Sequence, residues 1–315
     1  MQIDIIIPCY NAHETLPRAL ASIAAQELVS LIKVTLVDDC SEHGYGDIVK
    51  AFSPLLDVQE IRMEENGGPG KARQFGLDET DGDFVMFADA DDTLCDSFTV
   101  TNLLREIQKG YDVVGGEFIE QLEDGSYVVH REDMVWVFAK MYRRSFLDRF
   151  LIRFNDTRCN EDTGFNALVG ALTDRVSHIR QTVYLWHWAP NTITRSNNGA
   201  YTYAHGHRGY VENMIWVVAE MTRRALNKEL IRDFAVTVLC RLYFMHEEVK
   251  AFCPEEASAS METVRKFWRE TYAPIRPFVP DAYLAEHFIE EQKRGERRFV
   301  PKITFRDFLK ELDEK

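Results

Sequence analysis

The feature that most constrains the fold is a regular alternation of short strand-like runs and amphipathic stretches in the first third of the chain. Four runs stop at polar or turn-forming residues; they are Ile3–Pro8, Lys33–Val37, Val58–Arg62 and Phe84–Phe87. Stretches with helical spacing of apolar residues lie between them. This alternation predicts an α/β fold in which helices connect the strands of a mainly parallel sheet. Ligands of such sheets bind beyond the carboxyl ends of the strands.

The pattern changes near Asn197–Gly199, after which apolar residues recur at helical spacing. Residues 210–225, 231–245, 261–268 and 283–293 each predict an amphipathic helix, and the first two predict an antiparallel pair. The predicted organisation is an α/β domain over residues 1–198 and an α-helical domain over residues 199–315.

Composition and charge disfavour several classes of protein. The net charge is −14, and the whole acid excess lies before residue 200, which disfavours binding to nucleic acid phosphates.

The sequence has no apolar run of bilayer length and no secretory signal pattern, so we expect a cytoplasmic protein. The basic segment 293–298 would permit contact with an anionic membrane surface, although a solvated helix end is the favoured interpretation. The six cysteines form no CxxC pair, which favours reduced thiols.

Polar residues follow three of the predicted strands, at Tyr10-Asn11, Asp38-Asp39 and Asp89–Asp92. The loop Glu65–Lys71 carries Asn66, Gly67 and two further glycines. Its backbone amides would be able to approach a phosphate at a helix N-terminus. The loop matches neither the phosphate-binding loop of nucleotide hydrolases nor the dinucleotide-binding fingerprint.

Two pairs of acids are candidates for chemistry. Asp89 and Asp91 would lie on one side of an extended chain and would suit Mg²⁺ or Mn²⁺; the alternative is that they cap a helix starting near Asp96. Glu161 and Asp162 begin a predicted helix, and taken alone they are best explained as acids that complement the helix dipole.

The order of four segments resembles the nucleotide-sugar glycosyltransferases of family 2, over roughly residues 1–195. The segments are Ile5-Ile-Ile-Pro-Cys-Tyr-Asn11, Val37-Asp-Asp-Cys-Ser41, Asn66-Gly-Gly-Pro-Gly-Lys-Ala-Arg73 and Phe87-Ala-Asp-Ala-Asp-Asp92. The family usually has Asn where this chain has Gln74, a departure that removes no charged group. The small or acidic residue that is usual between the two metal-site acids is Ala90 here. The resemblance implies the GT-A fold for this part of the chain, whereas the helical C-terminal domain is predicted from the spacing of apolar residues alone.

The resemblance also implies a role for each matching residue. Pro8, Tyr10 and Asn11 would line a nucleoside pocket. Asp39 would accept a hydrogen bond from a pyrimidine base, which we expect to be uracil. Arg73 would help to hold the nucleotide-sugar. Asp89 and Asp91, separated by Ala90, would form the metal-binding pair.

The resemblance reverses the interpretation of the second acid pair. Asp162 would be the base that deprotonates the acceptor hydroxyl, and Glu161 would orient it or the acceptor. His187 would contact the diphosphate or complete the metal shell, although a packed strand residue is the favoured alternative. Arg195 would either clamp a diphosphate or lie in solvent.

The resulting hypothesis is a metal-dependent inverting glycosyltransferase that uses a UDP-sugar and Mn²⁺ or Mg²⁺. Its acceptor would be a glycan, an envelope polymer or another hydroxyl compound, with nucleic acid disfavoured by charge. The helical domain would bind the acceptor or form a homo-oligomer. The alternatives are a nucleotidyltransferase and a noncatalytic scaffold that binds sugar nucleotides.

Overall fold

The computed structural model describes residues 1–190, 206–293 and 299–313. The chain divides into two compact units, Met1–Pro190 and Asn191–Lys315. The predicted boundary between residues 198 and 199 lies outside the described residues, as does Arg195, so both remain predictions.

A single twisted sheet organises the first unit. Within the described residues its strands are β1 (Ile3–Cys9), β2 (Ile32–Asp38), β3 (Asp57–Arg62), β4 (Phe84–Phe87), β5 (Thr93–Leu94), β6 (Val113–Gln121), β7 (Tyr127–His130), β8 (Lys140–Arg143) and β9 (Val176–Trp186). Their order is β3-β2-β1-β4-β8-β6-β9-β5, and β7 pairs with β6. Strands β1 to β4 are parallel to one another, whereas β8 runs antiparallel to β4 and β6. The prediction of a mainly parallel α/β sheet is confirmed.

Six helices of this unit connect or follow the strands in the described region. They are α1 (Leu16–Ala24), α2 (Gly46–Phe52), α3 (Pro69–Asp78), α4 (Thr99–Ile107), α5 (Arg144–Arg149) and α6 (Glu161–Leu172). Strand β1 is covered on both faces: Ile5 belongs to the same core cluster as Leu16 and Leu20 of α1, while Ile6 packs against Gly76 of α3. A Cβ atom at Gly76 would lie 2.5 Å from Cγ2 of Ile6, so glycine allows this close approach. Burial on both faces explains why β1 is an uninterrupted apolar run.

The second unit is helical in its described residues. It contains α7 (Gly206–Arg223), α8 (Lys228–Phe252), α9 (Ala257–Phe267), α10 (Asp281–Lys293) and α11 (Phe305–Asp313), and α9 continues into a π-helical turn, Trp268–Tyr272. The first four helices match the predicted ones, and α11 was not predicted. None of the helices in the described part of the chain combines the length and the apolar character that a bilayer span requires.

Candidate active site

The carboxyl end of β2 is joined to the start of α3 through Asp39. Both carboxylate oxygens of this buried residue accept backbone N–H groups, from Gly67 at 2.6 Å and from Gly68 at 2.8 Å, and the Asn66 amide donates to the Asp39 carbonyl at 3.0 Å. Gly68 has a φ of +86°, which favours glycine, and Pro69 then begins α3. The structure therefore brings together Asp39, Asn66 and Gly67, three of the predicted substrate-binding residues. A carboxylate oxygen has a second lone pair, so Asp39 retains the capacity to accept from a base.

The neighbouring Asp38 has a different environment. It is fully buried, accepts the N–H of Ser41 at 2.8 Å and forms an ion pair with the Arg62 guanidinium on β3. These contacts hold the end of β2 to β3 and to the following turn, as expected when adjacent strand residues point to opposite sides.

This difference predicts different results for two alanine variants. We expect Asp39→Ala to weaken UDP binding about 10-fold, because it removes a charge-assisted acceptor and releases the 66–68 loop. Asp38→Ala should instead lower the melting temperature, because Arg62 loses its carboxylate partner and keeps only the Ser41 carbonyl, while the folded protein keeps its UDP affinity. Calorimetric titration and thermal melts measure the two effects. An unchanged UDP affinity in Asp39→Ala would rule out the base contact.

The predicted nucleoside-binding residues lie at the carboxyl end of β1. Pro8 is half-buried within the strand, and the Tyr10 side chain is 57% exposed. The backbone N–H of Asn11 donates to Ser41 at 2.9 Å, and its side-chain oxygen accepts from the N–H of Glu42 at 3.0 Å. These bonds join the turns after β1 and β2, so the predicted pocket residues lie at one edge of the sheet.

Arg73 connects the two acid pairs. It lies on α3 and is only 5% exposed. Its guanidinium donates to the Asp89 carboxylate at 2.7 Å and to the Glu161 carboxylate at 2.7 Å. Burial opposes its charge, but Asp89, Glu161 and Asp162 outweigh burial and raise the pKa of Arg73 above its ordinary value. Its predicted role in holding the nucleotide-sugar is untested. What the structure adds is that Arg73 fixes the end of β4 relative to the start of α6.

The acids after β4 do not cap the following helix. That helix, α4, begins at Thr99, and the Asp96 carboxylate accepts the N–H of Phe98 at 2.8 Å. The helix-cap alternative for Asp89 and Asp91 is therefore wrong. Both residues are half-buried, and the backbone N–H of Asp89 donates to the Tyr184 hydroxyl at 2.9 Å.

Asp92 and Ala90, in the same segment after β4, are both buried. Asp92 is buried and accepts the backbone N–H of His187 at 2.9 Å. Burial, followed by the charges of Asp89 and Asp91, raises the pKa of Asp92 well above its ordinary value. Ala90 is buried in the core, so a substrate would meet its backbone rather than its side chain.

The donor set fits a divalent cation that is shared with a substrate. Asp89 and Asp91 offer hard carboxylate oxygens, which Mg²⁺ and Mn²⁺ prefer. Among the described residues, no three His, Cys, Asp or Glu side chains converge closely enough to hold a metal by themselves. A cation held by this pair would need oxygens from a diphosphate and water to complete its shell.

Glu161 and Asp162 form the first turn of α6 and are both buried, which acids that only complement a helix dipole do not need to be. Burial, followed by the charge of Glu161, raises the pKa of Asp162 from 3.8 to about 8, while Arg73 opposes the shift. Glu161 is committed to its ion pair with Arg73. A strongly perturbed pKa beside a fixed charge partner is typical of functional sites.

His187 follows β9 directly and lies at the same strand end. Its Nε2 is 2.9 Å from Oγ1 of Thr93, and burial followed by the charge of Arg18 lowers its pKa. Sequence reasoning did not find Tyr184, which supports Asp89 from β9; the aromatic run in which it lies carried the only signal.

Comparison with known proteins shows the family of the chain. The sequence model of a protein family described as Glycosyl transferase family 2 matches residues 4–172, which are more than half of the chain. The chain belongs to glycosyltransferase family 2. The family inferred from the four sequence segments is confirmed.

Two relatives of this family 2 member illustrate the similarity. EpsJ of Bacillus subtilis, an uncharacterized glycosyltransferase, is 26% identical over 216 residues, which are 61% of this chain and 62% of EpsJ. The poly(ribitol-phosphate) β-N-acetylglucosaminyltransferase TarS of Staphylococcus aureus is 36% identical over 94 residues, which are 29% of this chain and 16% of TarS. The chain therefore matches less than two thirds of the length of either relative.

Solved structures establish the fold. TarS residues 1–349 in complex with UDP-GlcNAc superimpose with a TM-score of 0.70 at 20% identity, covering 92% of this chain and 89% of that one. The mannosyltransferase PcManGT from Pyrobaculum calidifontis, in complex with GDP-Man and Mn²⁺, gives a TM-score of 0.54 at 15% identity, covering 94% of this chain and 88% of that one. The predicted GT-A fold with a helical C-terminal part is confirmed.

Proposed function

We propose that this family 2 protein transfers a sugar from a nucleoside diphosphate sugar, specifically a UDP-sugar, to an acceptor hydroxyl, with inversion at the anomeric carbon. The observation that carries the proposal is the double ion pair of Arg73 with Asp89 and Glu161. It fixes the acids suited to a cation next to a buried acid pair suited to a base. The UDP-GlcNAc bound to TarS and the GDP-Man and Mn²⁺ bound to PcManGT support this class of donor.

Asp162 is the proposed base. The acceptor oxygen attacks the anomeric carbon and gives its proton to the Asp162 carboxylate, while the bond between the anomeric carbon and the diphosphate oxygen breaks and its electron pair leaves with the diphosphate. A single displacement of this kind inverts the anomeric centre. Glu161 is paired with Arg73, so its charge orients the start of α6 and does not accept the proton. A raised pKa makes the Asp162 carboxylate a better proton acceptor.

The remaining residues bind and orient the substrates. Asp39, which holds Asn66 and Gly67, would bind the nucleobase, and the exposed ring of Tyr10, after the neighbouring strand β1, would contribute to the same pocket. Asp89 and Asp91 would hold Mn²⁺ or Mg²⁺, which when bound neutralises the charge that develops on the departing diphosphate. The acceptor is a glycan, an envelope polymer or another hydroxyl compound, and the helical unit either binds it or forms a homo-oligomer.

The test is release of nucleoside diphosphate from a panel of UDP- and GDP-sugars by the full chain with Mn²⁺. We expect slow hydrolysis of one or a few UDP-sugars, accelerated by an acceptor. Pyrophosphate release from a nucleoside triphosphate and a sugar phosphate would instead identify a nucleotidyltransferase. Tight UDP-sugar binding without any turnover would identify a scaffold protein.

A further inference from the structure

The segment 132–139, between β7 and β8, is held in place by two buried polar side chains. Asn166 of α6 donates from its amide nitrogen to the carbonyls of Val135 and Trp136, each at 3.0 Å. Lys140 of β8 donates from Nζ to the Trp136 carbonyl at 2.7 Å. Asn166 and Lys140 are each only 1% exposed, and burying a lysine is costly unless its ammonium group is hydrogen-bonded. Three hydrogen bonds from buried side chains therefore hold the backbone of Val135–Trp136.

The same bonds tie this segment to the proposed base. Asn166 lies one helical turn after Asp162, so the two side chains share a face of α6. The Tyr142 hydroxyl donates to the side-chain oxygen (Oδ1) of Asn166 at 2.8 Å and so fixes the orientation of the side-chain amide. One helix thus carries both the base and the group that holds the Trp136 backbone.

Trp136 is half-buried: it packs against the core of the first unit and leaves part of the residue exposed. Its ring stacks on Phe138 with centroids 5.6 Å apart and planes 10° apart. The ring of Trp186, at the end of β9, lies 5.0 Å away and directly precedes His187. The aromatic pair formed by Trp136 and Trp186 therefore adjoins the strand end that carries the candidate metal-binding acids. Half-buried aromatic side chains with a few fixed polar groups are typical of sites for small organic ligands.

Charge restricts what this surface would bind. The acids of the site, Asp89, Glu161 and Asp162, are accompanied by Asp133, whose carboxylate is 3.6 Å from Lys140. The basic groups placed against them are already engaged, Arg73 by two carboxylates and Lys140 by a carbonyl. At the aromatic surface, away from the proposed cation, these carboxylates outnumber the two engaged basic groups, so an acceptor phosphate would meet net repulsion, whereas a neutral sugar would not.

We propose that the acceptor is a neutral pyranose whose ring stacks on Trp136, and that Asn166 and Lys140 are positioning residues that hold Trp136 at this place. This rests on the proposed function, with Asp162 as base. The stacked ring presents its hydroxyl to Asp162, and the transfer that follows is the displacement described above.

The experiment compares acceptors and variants of the full chain with whichever donor the release assay identifies. The probes are methyl β-D-glucopyranoside, methyl N-acetyl-β-D-glucosaminide and ribitol 5-phosphate. We expect at least one pyranoside to accelerate nucleoside diphosphate release, and ribitol 5-phosphate to have no effect. A ribitol phosphate that serves as well as the pyranosides would overturn the proposal.

The variants separate stacking from general packing. Trp136→Leu keeps apolar bulk and should raise the KM for the pyranoside about 10-fold, whereas Trp136→Phe should keep it within about threefold. Donor KM and hydrolysis in water should be unchanged in both. Val135→Ala, at the exposed neighbouring position, is the matched control and should behave as wild type. A wild-type acceptor KM in Trp136→Leu would overturn the proposal.

The positioning residues are tested by the same comparison of acceptor KM with donor KM and hydrolysis. Asn166→Ala and Lys140→Met should raise acceptor KM and leave donor KM and hydrolysis unchanged, whereas equal losses in all three would show that they serve only the fold. If no donor is turned over by the wild type, the proposed function itself fails. If a donor is turned over but Trp136→Leu keeps its acceptor KM, only the present inference fails.

Discussion

Replacing Asp162 by asparagine should reduce sugar transfer by about 10²-fold or more and leave nucleotide-sugar binding intact, the scale expected when a positioned base is lost. Asparagine has nearly the same shape and keeps an oxygen that can accept the N–H of Thr163, which Asp162 accepts at 3.1 Å. It cannot take the proton of the acceptor hydroxyl. Single-turnover kinetics with saturating donor measure the transfer step, and calorimetry measures donor affinity.

The same substitution should stabilise the fold above mildly acidic pH. Folding raises the pKa of Asp162 from 3.8 to about 8, so the folded state binds more protons than the unfolded state between these values. The stability of the wild type therefore falls as the pH rises through this window, and Asp162→Asn lacks that loss. We expect its melting temperature to exceed that of the wild type at pH 8, with a smaller difference at about pH 5. Opposite effects on activity and stability are typical of a functional residue.

A matched control is Asp174→Asn, which neutralises an exposed acid just beyond the end of α6. It should change neither the transfer rate nor the melting temperature beyond experimental error. If Asp162→Asn transfers sugar at the wild-type rate under single-turnover conditions, Asp162 serves only the start of the helix.

The parts of the fold that the sequence predicted are those encoded by local pattern. Strands β1, β2, β3 and β4 appear within about a residue or two of their predicted bounds, because a buried parallel strand is a short apolar run that ends at turn residues. The placing of acids at strand ends followed from the same pattern. The order of the four segments then identified the family.

Contacts between distant residues were not predictable in this way. Arg73 meets Glu161 across 88 positions of sequence, and no local pattern indicates which carboxylate a buried guanidinium will find. Strand β8, Lys140–Arg143, begins and ends with a basic residue and resembles a surface segment, yet Lys140 is buried because the Trp136 carbonyl and Asp133 satisfy it. The hydrogen bonds from Gly67 and Gly68 to the Asp39 carboxylate likewise form only because the fold brings the start of α3 next to the end of β2.

The second large effect concerns the cation. Asp91→Asn should lower nucleoside diphosphate release by about 10²-fold or more at limiting Mn²⁺, and chelation by EDTA should abolish release by the wild type. The reason is that a departing diphosphate gains charge, which a cation held by Asp89 and Asp91 would neutralise, and an amide is a weaker ligand than a carboxylate. A Mn²⁺ titration of the variant should show half-maximal activity at a higher metal concentration, which a change in folding alone would not produce.

The control for this prediction lies five residues further along the chain. Asp96→Asn removes the same charge from the connection between β5 and α4, but asparagine can still accept the N–H of Phe98 at the start of α4. It should therefore keep both the wild-type rate and the wild-type metal dependence. Because the ion pairs that Arg73 forms are with Asp89 and Glu161, Asp91→Asn leaves the link between β4 and α6 in place. Full activity of the wild type in EDTA, with an unchanged melting temperature, would contradict metal dependence.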